Sequence, residues 1–250
     1  MTNLPIKIVI PARYGSSRLP GKPLLLLCGK PMFWHVVNQA VKAGFSIQDI
    51  VVATDDQRIL DAAKTCDVPA VLTNVHHASG TDRLNEVSQK MNWSSETIVI
   101  NIQGDEPLIP PELIGTLRDF VISKEKFDIC TVMSPLTSLE DLNNPNVVKV
   151  AQGENCSAIY FSRSPIPFNR DEPESIINKY RHVGIYAYSV ASLSKFCSYP
   201  ESTLEKIEKL EQLRALSNGM SIGVICFNEE LPHGIDTEQD YINVKKIMEK

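Results

Sequence analysis

The sequence predicts an α/β fold: a mainly parallel mixed sheet with helices on both faces. Three observations predict it. Short apolar runs alternate with segments of helical period, giving a β-α-β-α-β order over the first half. Helix punctuation falls where that order requires it, as with Pro31 in a first turn and Gly44 just past an end. The composition, 250 residues of which 43% are hydrophobic and 22% charged, supplies a full core.

Taken in order, Ile6–Ile10 reads as a buried strand and Pro31–Ala43 as a helix. Asp49–Thr54 is strand-like, Gln57–Thr65 helical, and Thr97–Gln103 (TIVINIQ) a strong strand. A helix follows from about Glu112 to Ser123, then a strand at Asp128–Met133. In the second half, Val147–Ala151, Ala158–Ser162 and His182–Tyr188 read as strands. The Pro- and charge-rich stretch 163–180 between them reads as an arm, because apolar runs resume on both sides. Leu204–Leu216 reads as one amphipathic helix ended by Asn218-Gly219, and Thr237 with Asp240 has the spacing of a capping box for the last helix. No internal repeat or low-complexity segment interrupts this pattern, so residues 1–250 are expected to form a single domain with an arm.

Composition excludes several classes. A net charge of −5 argues against a general nucleic-acid binder, which carries a basic surface. The first apolar run is short and contains Lys7, unlike a signal peptide, and no stretch approaches the roughly 20 apolar residues of a membrane span. The six cysteines form no CxxC pair and no zinc-type spacing, and are expected to be reduced thiols. A cytoplasmic protein with no membrane or nucleic-acid partner is expected.

In a parallel sheet of this kind the ligand sits at the carboxyl ends of the strands, so the segments after Ile10, Thr54 and Gln103 are where chemistry belongs. The first of these, Pro11–Pro23 (PARYGSSRLPGKP), carries Arg13, Arg18 and Lys22 together with Gly15, Gly21 and Ser16. Glycines let backbone N–H groups approach an anion, and the cations neutralise it, so a polyphosphate is the ligand this loop suits. It is not a GxxxxGK[ST] loop: one residue too many separates Gly15 from Gly21-Lys22, and Pro23 replaces the hydroxyl residue. There is no GxGxxG either. An exposed basic turn is the alternative reading.

From residue 6 to the C-terminus a series of motifs occurs in order: PARYGSSRLPGKPL, SGTDR (79–83), NIQGDEPLIP (101–110), NPNVVKV (144–150), YFSRSPIP (160–167), RHVGIYAY (181–188), IEKLEQLRAL (207–216) and GIDTEQD (234–240). Together they resemble the 3-deoxy-manno-octulosonate cytidylyltransferases, also called CMP-Kdo synthetases. PARYGSSR with SGTDR also resembles a branch that acts on an 8-amino analogue of Kdo, while QGDEP and GIDTEQD fit the ordinary Kdo enzymes. The resemblance implies a Rossmann-like nucleotidyltransferase fold and a homodimer. It also implies a reaction in which CTP and Kdo give CMP-Kdo and pyrophosphate with Mg²⁺, for lipopolysaccharide biosynthesis.

The resemblance also implies residue roles. Arg13 and Lys22 hold the triphosphate, with Arg18 and Ser16 as helpers. Ser79, Gly80 and Arg83 form the base-reading loop, although Ser79 or Thr81 could equally cap the helix that follows. Gln103 serves the nucleotide and the sugar. Asp105 and Asp236 hold Mg²⁺, as a carboxylate pair from separate segments suits a hard cation completed by phosphate and water; a cap carboxylate is the other reading of Asp236. Arg163, His182, Tyr186, Glu211 and Gln212 are the sugar-binding candidates. Tyr186 could instead be core, and Glu211 and Gln212 a solvated helix face. Arg13, Lys22, Asp105 and Asp236 carry the catalytic expectation. Other CMP-sugar-acid synthetases, or a non-catalytic nucleotide-binding module, remain competing readings at this point.

Overall fold

The computed structural model describes residues 4–15, 19–77, 79–123, 127–232 and 234–249. By internal packing the chain divides into two compact units, residues 1–115 with 230–250, and residues 116–229.

The first unit holds β1 (Ile6–Ala12), a short hairpin of β2 (Leu26–Leu27) and β3 (Lys30–Pro31), and α1 (Met32–Lys42). It continues through β4 (Ile50–Thr54), α2 (Gln57–Thr65), β5 (Ala70–Leu72), α3 (Gly80–Lys90) and β6 (Ile98–Asn101). Its sheet runs β6-β1-β4-β5, every pair parallel. All residues of β4 and β6 are buried, as strands covered on both faces require. Register sets Ala12 opposite Thr54, and Thr54 opposite Leu72. The residues that follow, Arg13, Asp55 and Thr73, therefore leave one edge of the sheet together. Gly104, just after β6, is confined by close approach: a Cβ there would lie 2.5 Å from the Pro11 carbonyl oxygen.

α4 (Pro111–Ile122) carries the chain into the second unit. There follow β7 (Ile129–Pro135), α5 (Leu139–Asn143), β8 (Lys149–Gln152), β9 (Ala158–Ser162), β10 (Tyr180–Ser189), α6 (Val190–Ser198), α7 (Thr203–Glu208), α8 (Gln212–Ser217) and β11 (Ile222–Cys226). β11 pairs β7 in parallel, while β7–β10, β10–β8 and β8–β9 are antiparallel. Residues 163–179 contain neither helix nor strand.

The expected single helix at 204–216 is instead two. Lys209 adopts a left-handed conformation (φ 54°) and ends α7 with an N–H bond of 2.7 Å to the Glu205 carbonyl. The carbonyls exposed by the break are taken by a cation: Arg163 donates from Nε to Glu208 O at 2.6 Å and from Nη2 to Lys209 O at 3.3 Å.

The chain then returns to the first unit as α9 (Glu238–Met248), opened by the expected capping box of Thr237 and Asp240. Leu27, Met32, Ile235 and Val244 form a buried cluster that fixes α9 and the segment before it. No helix among the described residues is long and apolar enough to cross a membrane, and all six cysteines are free thiols.

Candidate active site

The first unit gathers a cation and two carboxylates from three distant segments. Lys22 follows Gly21, whose positive φ of 68° suits a residue without a Cβ; its N–H bonds the Tyr14 carbonyl at 3.0 Å and closes the loop. From there the Lys22 ammonium donates to Asp105 Oδ2 at 2.6 Å, to the Ile235 carbonyl at 2.8 Å and to Asp236 Oδ1 at 3.3 Å. Backbone bonding makes this convergence specific. Asp105 stands just past β6, held by the Gly104 approach, and its carbonyl accepts the Ile235 N–H at 2.8 Å. Asp236 precedes α9, and its own N–H donates to Asp240 Oδ2 at 3.1 Å, so the helix cap fixes it. Lys22 is 11% exposed, against 32% for Asp105 and 50% for Asp236. The carboxylates therefore face solvent, where a ligand can reach them.

Beside this trio, Arg13 is exposed at the end of β1. Ser16 and Arg18 lie outside the described residues. Gln103 sits between β6 and Asp105, its carbonyl accepting the Glu106 N–H at 3.3 Å. Ser79 is the N-cap of α3, accepting from the Asp82 N–H at 3.1 Å, and Gly80 is the first residue of that helix. Arg83 points inward from α3, fully buried. It donates to Asp55 Oδ2 at 2.8 Å and to the Thr73 hydroxyl, which ties together two of the strand ends. Burial lowers its pKa, opposed by Asp55 and reinforced by the nearby Arg13 charge.

In the second unit, β10 bulges between Val183 and Tyr186 against β7. Such bulges re-aim side chains. The Thr131 hydroxyl lies 2.7 Å from the Ile185 carbonyl and 3.0 Å from His182 Nε2. The same hydroxyl lies 3.2 Å from the Val183 carbonyl; a hydroxyl has one proton and carbonyls can only accept, so the proton is shared between these two carbonyls and His182 Nε2 is the donor to Thr131. The imidazole is set among rings, 5.1 Å from Phe161 and 5.2 Å from Tyr186 between centroids. Burial raises the Tyr186 hydroxyl pKa, and the Glu211 charge adds to it. Gln212 is buried at the start of α8. Arg163 is engaged on the carbonyls that end α7 and, at 2.8 Å, on Pro145 O.

A family model described as Cytidylyltransferase matches residues 7–222. The 3-deoxy-manno-octulosonate cytidylyltransferase 2 of Paraburkholderia phytofirmans is 45% identical over 247 residues, covering 97% of this chain and 94% of that protein. The 3-deoxy-manno-octulosonate cytidylyltransferase of Cellvibrio japonicus is 43% identical, covering 97% of each.

The chain belongs to the 3-deoxy-manno-octulosonate cytidylyltransferases.

A solved structure of this cytidylyltransferase family, described as CMP:2-keto-3-deoxy-manno-octonic acid synthetase complexed with CTP, superposes with a TM-score of 0.90 at 40% identity over 98% of both chains. A Leptospira borgpetersenii cytidylyltransferase at 17% identity and a TM-score of 0.64 shares the fold. Among the contacts of the candidate site that the sequence did not signal, the Ile235 carbonyl bonded by Lys22 is a backbone group, which no residue type signals. Asp55 and Thr73 could have been found, since each directly follows a strand end.

His182 gives a pH signature that does not depend on its role. Burial lowers its pKa from 6.5 to about 3. Below pH 6.5 the unfolded chain takes up a proton that the folded chain refuses, so this contribution to stability is present above 6.5 and is lost as pH falls toward about 3. His182→Gln is expected to flatten the decline of Tm between about pH 7 and about pH 4, read by scanning calorimetry. An unchanged slope would show that His182 is not the group responsible.

Proposed function

We propose that this protein joins CTP and 3-deoxy-manno-octulosonate to give CMP-Kdo and pyrophosphate, activating the sugar acid for lipopolysaccharide biosynthesis. The observation that carries the reading is the convergence of Lys22, Asp105 and Asp236 beside the exposed Arg13, in a chain of this family. A hydroxyl oxygen of the sugar attacks the α-phosphorus; that O–P bond forms as the bond to the β-phosphate bridging oxygen breaks, and pyrophosphate leaves. The chain's task is charge neutralisation and in-line positioning. Arg13 and Lys22 bind the triphosphate. Asp105 and Asp236 fit a magnesium ion, being two carboxylates that already converge on one cation. Among the described residues no group of three or more His, Cys, Asp or Glu side chains could hold a metal alone, so phosphate oxygens and water would complete the shell. Magnesium, when bound, withdraws charge from the α-phosphate and eases deprotonation of the attacking hydroxyl.

Ser79 and Gly80, with Gln103, are proposed to read the cytosine. Gln103, His182, Tyr186, Glu211 and Gln212 are proposed for the sugar, with Arg163 as a further candidate. Arg83 is proposed with them for the nucleotide, held in place by its hydrogen bonds to Asp55 and the Thr73 hydroxyl. The test is pyrophosphate release with Mg²⁺, CTP or UTP, and a panel of sugar acids that includes Kdo, its 8-amino analogue and sialic-type acids. CTP with Kdo is expected to dominate, because a site built around hydrogen bonds rejects a base that leaves them unmade. Equal turnover with UTP would refute the base assignment, and a preference for another acid would refute the sugar.

The protein is further proposed to act in the cytoplasm, which suits six free thiols and a CTP substrate. It is proposed to act as a homodimer. Phe168 and Ile177, in the irregular segment 163–179, are 72% and 71% exposed, as apolar interface groups are in an isolated subunit. Light scattering is expected to give the dimer mass at micromolar concentration; monomer alone would overturn this.

A further inference from the structure

Lys22 makes more contacts than a phosphate ligand needs. Its ammonium has three protons and three acceptors: Asp105 at 2.6 Å, the Ile235 carbonyl at 2.8 Å and Asp236 at 3.3 Å. Two of the three are the very carboxylates assigned to the metal, and Lys22 is the more enclosed partner at 11% exposure. We infer that Lys22 is the resident counter-ion of the metal centre in the nucleotide-free protein, and that it trades the carboxylates for the triphosphate when nucleotide and metal enter together. This rests on the proposed metal role of Asp105 and Asp236.

The electrostatics give the exchange its direction. Two carboxylates alone carry −2; with Lys22 between them the site carries −1 and has less attraction for a dication. An arriving triphosphate offers the ammonium a more highly charged anion, and its departure restores the −2 pair. Metal binding and triphosphate binding therefore favour each other, and by linkage the effect is reciprocal. Asp105 and Asp236 are held by backbone bonds of their own, so the exchange is a change of partners by the Lys22 side chain. The resident lysine also keeps the paired carboxylates from repelling each other before substrate arrives.

The experiment is a Mn²⁺ titration of nucleotide-free protein, followed by calorimetry and by the paramagnetic resonance of free Mn²⁺. It compares wild type, Lys22→Met and Lys22→Gln, and each lysine variant with Asp105→Asn added. Removing the competing charge is expected to tighten Mn²⁺ binding about tenfold or more in both lysine variants, although both lose turnover. Adding Asp105→Asn is expected to cancel the gain. Equal or weaker Mn²⁺ binding in the lysine variants, with binding still dependent on Asp105, would overturn the exchange and leave the metal assignment standing. Tight binding that ignores Asp105→Asn, or no binding in any variant, would overturn both.

Discussion

Lys22→Ala is expected to lower turnover by on the order of 10²-fold or more at saturating CTP, as loss of a charge donor to a transition state does. In attack at the α-phosphorus, negative charge grows on the phosphate oxygens and the leaving pyrophosphate, and the Lys22 ammonium is a cation only 11% exposed. Arg13 remains in the variant, so nucleotide should still bind, and kcat should suffer more than KM. The fold is expected to survive. Asp105 and Asp236 are 32% and 50% exposed, so water can hydrate both carboxylates once the lysine is gone, which a buried pair would not allow. Circular dichroism and Tm separate the two cases: a cooperative melt with lost turnover supports the catalytic role, and near-normal turnover refutes it.

Much of the fold was legible because local and tertiary signals agree in the first unit. The predicted helix Gln57–Thr65 has those very ends; Asp56 caps it, accepting the Arg58 N–H at 2.9 Å, and no long-range contact is needed to start it. Buried parallel strands read well for the same reason, since their apolar runs are continuous. The failure at 204–216 is equally physical. Nothing about Lys209 marks a helix end, and the tertiary group that meets the break is distant in sequence: the Arg163 fork on the carbonyls of Glu208 and Lys209. Arg163 itself was expected at the sugar, and the structure shows its guanidinium engaged at that helix end. At the candidate site the chemistry was legible where it lives in side chains: Lys22, Asp105 and Asp236 were singled out and are found together. It was illegible where it lives in the backbone, as with the Ile235 carbonyl, or in long-range pairing, as with Arg83 and Asp55.

Asp105→Asn and Asp236→Asn are each expected to remove most activity, on the order of 10²-fold, while CTP still binds through Arg13 and Lys22. Both substitutions keep side-chain shape and remove one negative charge from a pair that a hard cation needs, since Mg²⁺ takes few protein carboxylates and has no third among the described residues to fall back on. The two should not be equal. Asp105 makes the shorter contact, 2.6 against 3.3 Å, and is the less exposed, so its charge is less screened and its loss should cost more. Raising Mg²⁺ should recover part of the Asp236→Asn activity and less of the Asp105→Asn activity. The Asp236→Asn variant would also keep the backbone N–H that bonds Asp240, so the start of α9 and the Tm should change little. The measurements are CTP affinity, Mg²⁺ dependence and turnover for each variant. Full turnover in either one would remove that carboxylate from the metal centre. Loss of CTP binding in step with turnover would instead assign the pair to organising Lys22 and the phosphate loop, with the metal held elsewhere.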